Sequence, residues 1–180
     1  MSGKKYKRLM LVDGYNVIRA TGRYSSMIDD DGSVSDVYMR AREALIGDVA
    51  YAAQGKYEAC IVFDGGGNPH SDGKSYKTAG VQIVFSAYGQ EADTVIEKLA
   101  TQAREHDKEV LVVTSDAATQ WTVVGDGVSR LSSRMFNEEI ELMRGDLAED
   151  AMNYSKNTLV SRLPADIAEK LRKMSRGEGL

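Results

Sequence analysis

Strands of a fully buried type, alternating with helices that carry one apolar face, predict a three-layer α/β domain built on a central, mainly parallel sheet. Two observations carry that expectation. The runs Leu9 to Val12, Cys60 to Phe63 and Val110 to Val113 are continuously apolar, as strands covered on both faces are. Between them lie stretches of helical period, with Val37, Ala41, Ala44, Leu45 and Val49 in one and Val95, Ile96, Leu99, Ala100 and Ala103 in another. Such alternation implies right-handed crossovers onto a parallel sheet.

The length of 180 residues suits a single domain over residues 1–180, with a core at about 8–152 and a basic helical tail at about 156–180. A hydrophobic content of 42% with 28% charged residues excludes whole-chain disorder. The net charge of -4 argues against a generally basic surface, yet leaves nucleic acid open, because acids that hold a metal would themselves make the total negative. Cys60, the only cysteine, sits inside an apolar run, so no intramolecular disulfide is possible and a reducing compartment is compatible. The basic start MSGKKYKR leads into an apolar run too short for a signal peptide, and no stretch approaches a membrane span. A cytoplasmic location is expected.

Taken in order, LMLVDGYNVI is the stretch around which the chain is organised. Its apolar run stops at Asp13, Gly14 marks a turn, and Asn16 follows one turn of chain later. Residues 19–31, with Gly22, several serines and three aspartates in a row, read as a surface loop. Ser33 with Asp36 resembles a capping box opening the first long helix. The second strand ends in FDGGG; residues 65–80 carry no apolar period and read as a mobile loop, and VQIVFS as a further strand. A helix begins near Asp93, and TSDAATQW follows the strand at Val110 to Val113. Val128 to Leu131 reads as a short strand, and Ser132 or Ser133 caps a long helix reaching about residue 152. Pro164 suits the first turn of a last helix, whose Arg162, Lys170, Arg172, Lys173 and Arg176 make the tail basic.

If the three apolar runs are neighbours, Asp13, Asp64 and Asp116 share the carboxyl edge of the sheet, where open α/β folds place their sites. Asp93 can add a fourth carboxylate, whereas Glu97, on the same helix face, is read as reaching solvent. Converging carboxylates repel one another, and a bound cation removes the conflict. Oxygen ligands without histidine or cysteine favour Mg²⁺ or Mn²⁺, ions that keep waters and bind phosphate oxygens. Hydrolysis of a phosphodiester is the chemistry that follows, with no protein nucleophile required. Asn16, or Ser115 beside Asp116, would hold a water, a ligand carboxylate or a phosphate oxygen. Lys74, Tyr76 and Lys77 offer RNA contacts, two to phosphate and one aromatic face for an unstacked base.

Each residue also has a plain structural reading. An Asp between strand and helix is frequently only an N-cap, so the coincidence of several carries the inference. Asn16 equally caps the turn after the strand. Gly65, Gly66 and Gly67 fit no P-loop spacing and read as a flexible turn, His70 as an exposed loop residue, and Trp121 as core or rim.

LVDGYNVI, FDGGG, EADTVIEKLA and VTSDAATQW, in this order, resemble the YacP-like NYN-domain proteins, a branch of the PIN-like nucleases. The resemblance runs from about residue 8 into the C-terminal helix, and it implies a PIN-like fold and metal-dependent endoribonuclease activity. By it, Asp13 matches the first acid, Asp93 the acid at the helix start, Asp116 the acid of the TSD motif and Asn16 the amide of DGYN; Asp64 is a weaker match. It further implies mRNA as substrate and the ribosome as a partner, although the loop at 65–80 differs from the bacterial member that acts there.

Two other functions compete with a nuclease. A non-catalytic RNA- or ribosome-binding module gains nothing from negative charge concentrated beside phosphates. A small-molecule phosphohydrolase of the haloacid-dehalogenase type resembles DxDx(T/V) at the first strand, whereas this chain reads DGYNV, without the second acid.

Overall fold

The computed structural model of the chain describes residues 8–29, 32, 36–65, 73–116 and 126–161, with side chains to residue 152. It divides into two compact units, Met1–Ile140 and Glu141–Leu180. The first holds the sheet and the candidate site.

Strand β1 (Arg8–Asp13) passes directly into helix α1 (Gly14–Ala20), which is followed by the single turn α2 (Gly22–Ser25) and the longer α3 (Met39–Ala53). Then come β2 (Glu58–Phe63), the hairpin β3 (Ser75–Thr78) and β4 (Val81–Phe85), α4 (Ala92–Glu105), β5 (Glu109–Val113), β6 (Val128–Leu131) and α5 (Ser133–Ser161). One six-stranded sheet results, in the order β3-β4-β2-β1-β5-β6, with every pairing parallel except that of β3 with β4. The three apolar runs are thus adjacent strands, as expected. Leu11, Cys60, Val62, Val110 and Val112 pack with Ala92, Ile96, Ala100 and Ala103 of α4 on one face. Alternate residues face the other way, where Gly14 of α1 abuts Phe63 and Ile61, and Arg42 of α3 lies over Phe63 and Phe85. Helices on both faces explain why the central strands carry no polar alternation.

Three expectations need correction. The presumed loop at 19–31 contains the end of α1 and all of α2, whose Tyr24 is fully buried and donates its hydroxyl to buried Asp48 at 2.9 Å. A four-residue helix is too short to show a period, and a tyrosine whose hydroxyl is satisfied can enter a core. The presumed loop at 65–80 ends in β3, joined to β4 by Ala79 and Gly80 at φ 50° and 81°. Two positive φ values in a two-residue connection make a type I′ turn, whose twist suits a hairpin, although Ala-Gly lacks the usual Asn or Asp signal. Helix α3 starts at Met39 rather than near Ser33, and Asp36 instead accepts from the Tyr38 amide and pairs with Arg42.

Of the two candidate caps of α5, Ser132 is the one that caps the helix, with its Oγ accepting from the Met135 amide at 3.1 Å. The helix continues to Ser161, beyond the expected end. Cys60 is buried, and burial pushes its thiol up to about 12, so it acts as a small hydrophobe. Among the described residues no helix is long and apolar enough to cross a membrane. Expectations for Gly66, Gly67, His70, Trp121 and the basic tail lie outside the described residues.

Candidate active site

The chain winds from β1 to β2 and β4 on one side, then crosses back through α4 to β5 on the other side of β1. Strand order therefore reverses between β1 and β5, and a crevice opens at their carboxyl ends. A cleft of about 510 Å³ occupies that edge, lined by Asp13, Tyr15, Asn16, Arg19, Ala20, Asp64, Glu91, Ala92, Asp93 and Asp116. All four aspartates singled out from the sequence face this one cleft, each from a different segment. Asp13 closes β1, Asp64 follows β2, Asp93 lies in the first turn of α4, and Asp116 follows β5.

Asp13 is 8% exposed and is fixed at both oxygens. Oδ1 accepts from the Asn16 amide at 3.3 Å, capping α1, and Oδ2 accepts from Thr114 Oγ1 at 3.2 Å. Burial raises its pKa to about 6; the two hydrogen bonds oppose that rise, and the charges of Asp93 and Asp116 add to it. Thr114 Oγ1 also accepts from the Asp116 amide at 3.1 Å, so one buried threonine positions two of the acids.

Asn16 has a defined role. Its Oδ1 accepts from the Ser115 amide at 2.8 Å and from Ser133 Oγ at 2.7 Å, and Ser115 Oγ accepts from the Ser133 amide at 3.0 Å. A backbone N–H can only donate, which fixes the amide orientation and leaves Nδ2 as the donor beside the cleft. The side chain thereby ties the β1–α1 junction to the end of β5 and to the start of α5.

The donor chemistry fits a hard divalent cation, since the cleft acids supply oxygen ligands only and the raised pKa of Asp13 marks an ionised form that a cation would stabilise. Among the described residues no three acidic, histidine or cysteine side chains are already grouped closely enough to hold an ion.

Glu97 is exposed, as expected. Lys74, Tyr76 and Lys77 do not line the acidic cleft. They lie at and along the edge strand β3, and Lys77 lines a separate groove with Tyr51, Gln54 and Tyr57 at the opposite end of the sheet. Sequence reasoning missed Thr114, Glu91, Tyr15 and Arg19. Glu91, two residues before Asp93 at a helix start, gave a usable signal. Tyr15 and Arg19, one turn apart in α1, gave one only once residues 14–20 are known to be helical.

A doubly wound, mainly parallel sheet whose acids converge at the reversal of strand order has the arrangement of a PIN-like fold. The YacP-like NYN domain family model matches residues 10–176, and the chain belongs to that family. It is 30% identical to the uncharacterised protein YacP of Bacillus subtilis strain 168 over 134 residues, which is 74% of this chain and 75% of the relative. The crystal structure of Rae1 (YacP) from Bacillus subtilis superposes with a TM-score of 0.66 at 25% identity, over 94% of this chain and 95% of that one. A point mutant of the same protein gives a TM-score of 0.64 at 28% identity, over 83% and 84%.

Proposed function

We propose that the chain is a metal-dependent endoribonuclease, with Asp13, Asp93 and Asp116 as ligands of Mg²⁺ or Mn²⁺, Asp64 completing the acid set and Asn16 organising it. One observation carries this reading: acids from four segments face a single cleft where the strand order reverses. A divalent ion held there would activate water for attack on phosphorus and offset charge on the attacking and leaving oxygens. The chain's own contribution is placement. Thr114 and the Asn16 amide hold Asp13 in one orientation, the Asn16 side chain keeps Ser115 and the start of α5 against β1, and no side chain has to act as nucleophile.

Family membership supports the finer reading, in which the substrate is mRNA, cleavage takes place in association with the ribosome, and the protein is cytoplasmic. Residues 1–180 act as one NYN domain in this reading, with Lys74, Tyr76 and Lys77 as outlying RNA contacts.

Purified protein incubated with labelled RNA, with and without Mg²⁺ or Mn²⁺, tests the proposal. Wild type cleaves only with metal, and Asp13→Asn or Asp93→Asn lowers the rate on the order of 100-fold or more, the scale for losing a group that stabilises transition-state charge. Metal-independent cleavage, or cleavage indifferent to both substitutions, rejects the reading. The same comparison on translating ribosomes tests ribosome association.

A further inference from the structure

Arg19 is the one cation among the described residues that line the acidic cleft. Its guanidinium lies 5.4 Å from the Tyr15 ring centroid and 5.6 Å from that of Tyr38, and its Nε and Nη2 each donate to the Tyr38 hydroxyl at 3.4 Å. The platform is itself fixed. Tyr15 packs 4.9 Å from Tyr38 and 5.1 Å from buried Phe63, and its hydroxyl accepts from Arg42 at 3.2 Å.

A long cation at the wall of an acid-lined cleft would ordinarily swing to a carboxylate. Here two ring faces and a hydroxyl hold it, and among the described residues no carboxylate pairs with it. Arg19 is exposed, so a guanidinium held against these rings can offer solvent a second face and its remaining N–H donors. An unpaired nucleotide matches both, since its base offers a π-face and its phosphate accepts two parallel N–H bonds. In a duplex each base is stacked on its neighbours, so no free face is available. The cleft also needs such a group, because its five carboxylates repel the strand on either side of the reacting phosphate.

We propose that Arg19, laid over Tyr15 and Tyr38, is a single-strand subsite that stacks on an unpaired base and takes the phosphate next to the one in the acidic cleft, giving the chain a preference for single-stranded RNA. The inference rests on the nuclease reading above and deepens it.

Fluorescence anisotropy in EDTA tests it without any cleavage, using the full chain, a labelled single-stranded RNA and the same strand annealed to its complement. Wild type binds the single strand more tightly. Arg19→Ala weakens that binding about tenfold, the scale of one lost stacking contact, and leaves duplex binding unchanged. It also lowers the slope of log affinity against log salt by about 0.7, as expected for one phosphate contact on a single strand. Arg19→Lys restores the slope but only part of the affinity, because an ammonium keeps the charge and lacks the plane. The proposal is overturned if wild type does not prefer the single strand, if Arg19→Ala binds it within about twofold of wild type, or if Arg19→Lys binds as wild type does. Binding through Arg19 without metal-dependent cleavage would defeat the nuclease reading alone. Cleavage with unchanged Arg19→Ala binding would defeat the subsite alone.

Discussion

Replacing Gly14 by alanine sets two opposed effects against each other at the junction of β1 and α1. Alanine in place of glycine favours a helix by up to about 1 kcal/mol, and by less in the first turn, where Gly14 lies. A Cβ there would stand 2.3 Å and 2.5 Å from Cε1 and Cδ1 of Phe63 and 3.0 Å from Cγ2 of Ile61. Phe63 is fully buried, and its ring is held between Tyr15 at 5.1 Å and Phe85 at 5.4 Å, so it has no direction of retreat that spares both. Overpacking of this kind costs roughly 1–3 kcal/mol, occasionally more. The steric cost exceeds the helical gain, and Gly14→Ala is expected to destabilise the fold by about 2 kcal/mol. Gly47 in α3 provides the control: it is exposed, and a Cβ there meets nothing within 4 Å. Gly47→Ala should therefore stabilise by roughly 0.5–1 kcal/mol. Urea unfolding followed by far-ultraviolet circular dichroism reads both, and opposite signs are expected for the same chemical change. A Gly14→Ala protein as stable as wild type would mean that the Phe63 ring gives way freely, and would refute the reasoning.

Two further predictions concern the cleft. The Asp13 carboxyl, raised from 3.8 to about 6, binds its proton more tightly in the folded chain than in the unfolded one. Its contribution to stability is therefore fully present below about pH 4 and is lost as pH rises through about 6, a loss of about 3 kcal/mol for a shift of about two units. Urea unfolding in EDTA at pH 4 and pH 7.5 should show that Asp13→Asn lacks this loss; an unchanged difference between the two pH values would count against the burial of Asp13 as its cause. Ser133→Ala removes the hydroxyl donated to Asn16 Oδ1 at 2.7 Å, while the Ser115 amide still satisfies that oxygen. A cost of about 1 kcal/mol is expected by denaturant unfolding, and a cost above about 3 kcal/mol would show that the serine does more than donate one hydrogen bond.

The strands with continuous apolar runs were readable because burial on both faces leaves an unbroken signature, and β1, β2 and β5 needed no tertiary information beyond it. The convergence of Asp13, Asp64 and Asp116 followed from one inference, that adjacent parallel strands end on the same edge. What stayed hidden was set by partners distant in the chain. Tyr24 is core only because Asp48 receives its hydroxyl, and β3 is a strand only because β4 offers it an edge. Thr114 was not singled out within TSDAATQW. Its parity with Val110 and Val112 would have placed it on the face of Asp13, had the strand been carried one residue further.

The amide of Asn16 is completed by groups 99 and 117 residues further along the chain. A polypeptide still being made carries Asp13 and Asn16 early, yet its amide acquires the second donor only after α5 has begun to emerge. Vectorial synthesis thus delivers every residue that lines the cleft, the last being Asp116, before the serine that completes the Asn16 amide, so the final hydrogen bond at this junction closes over acids already made.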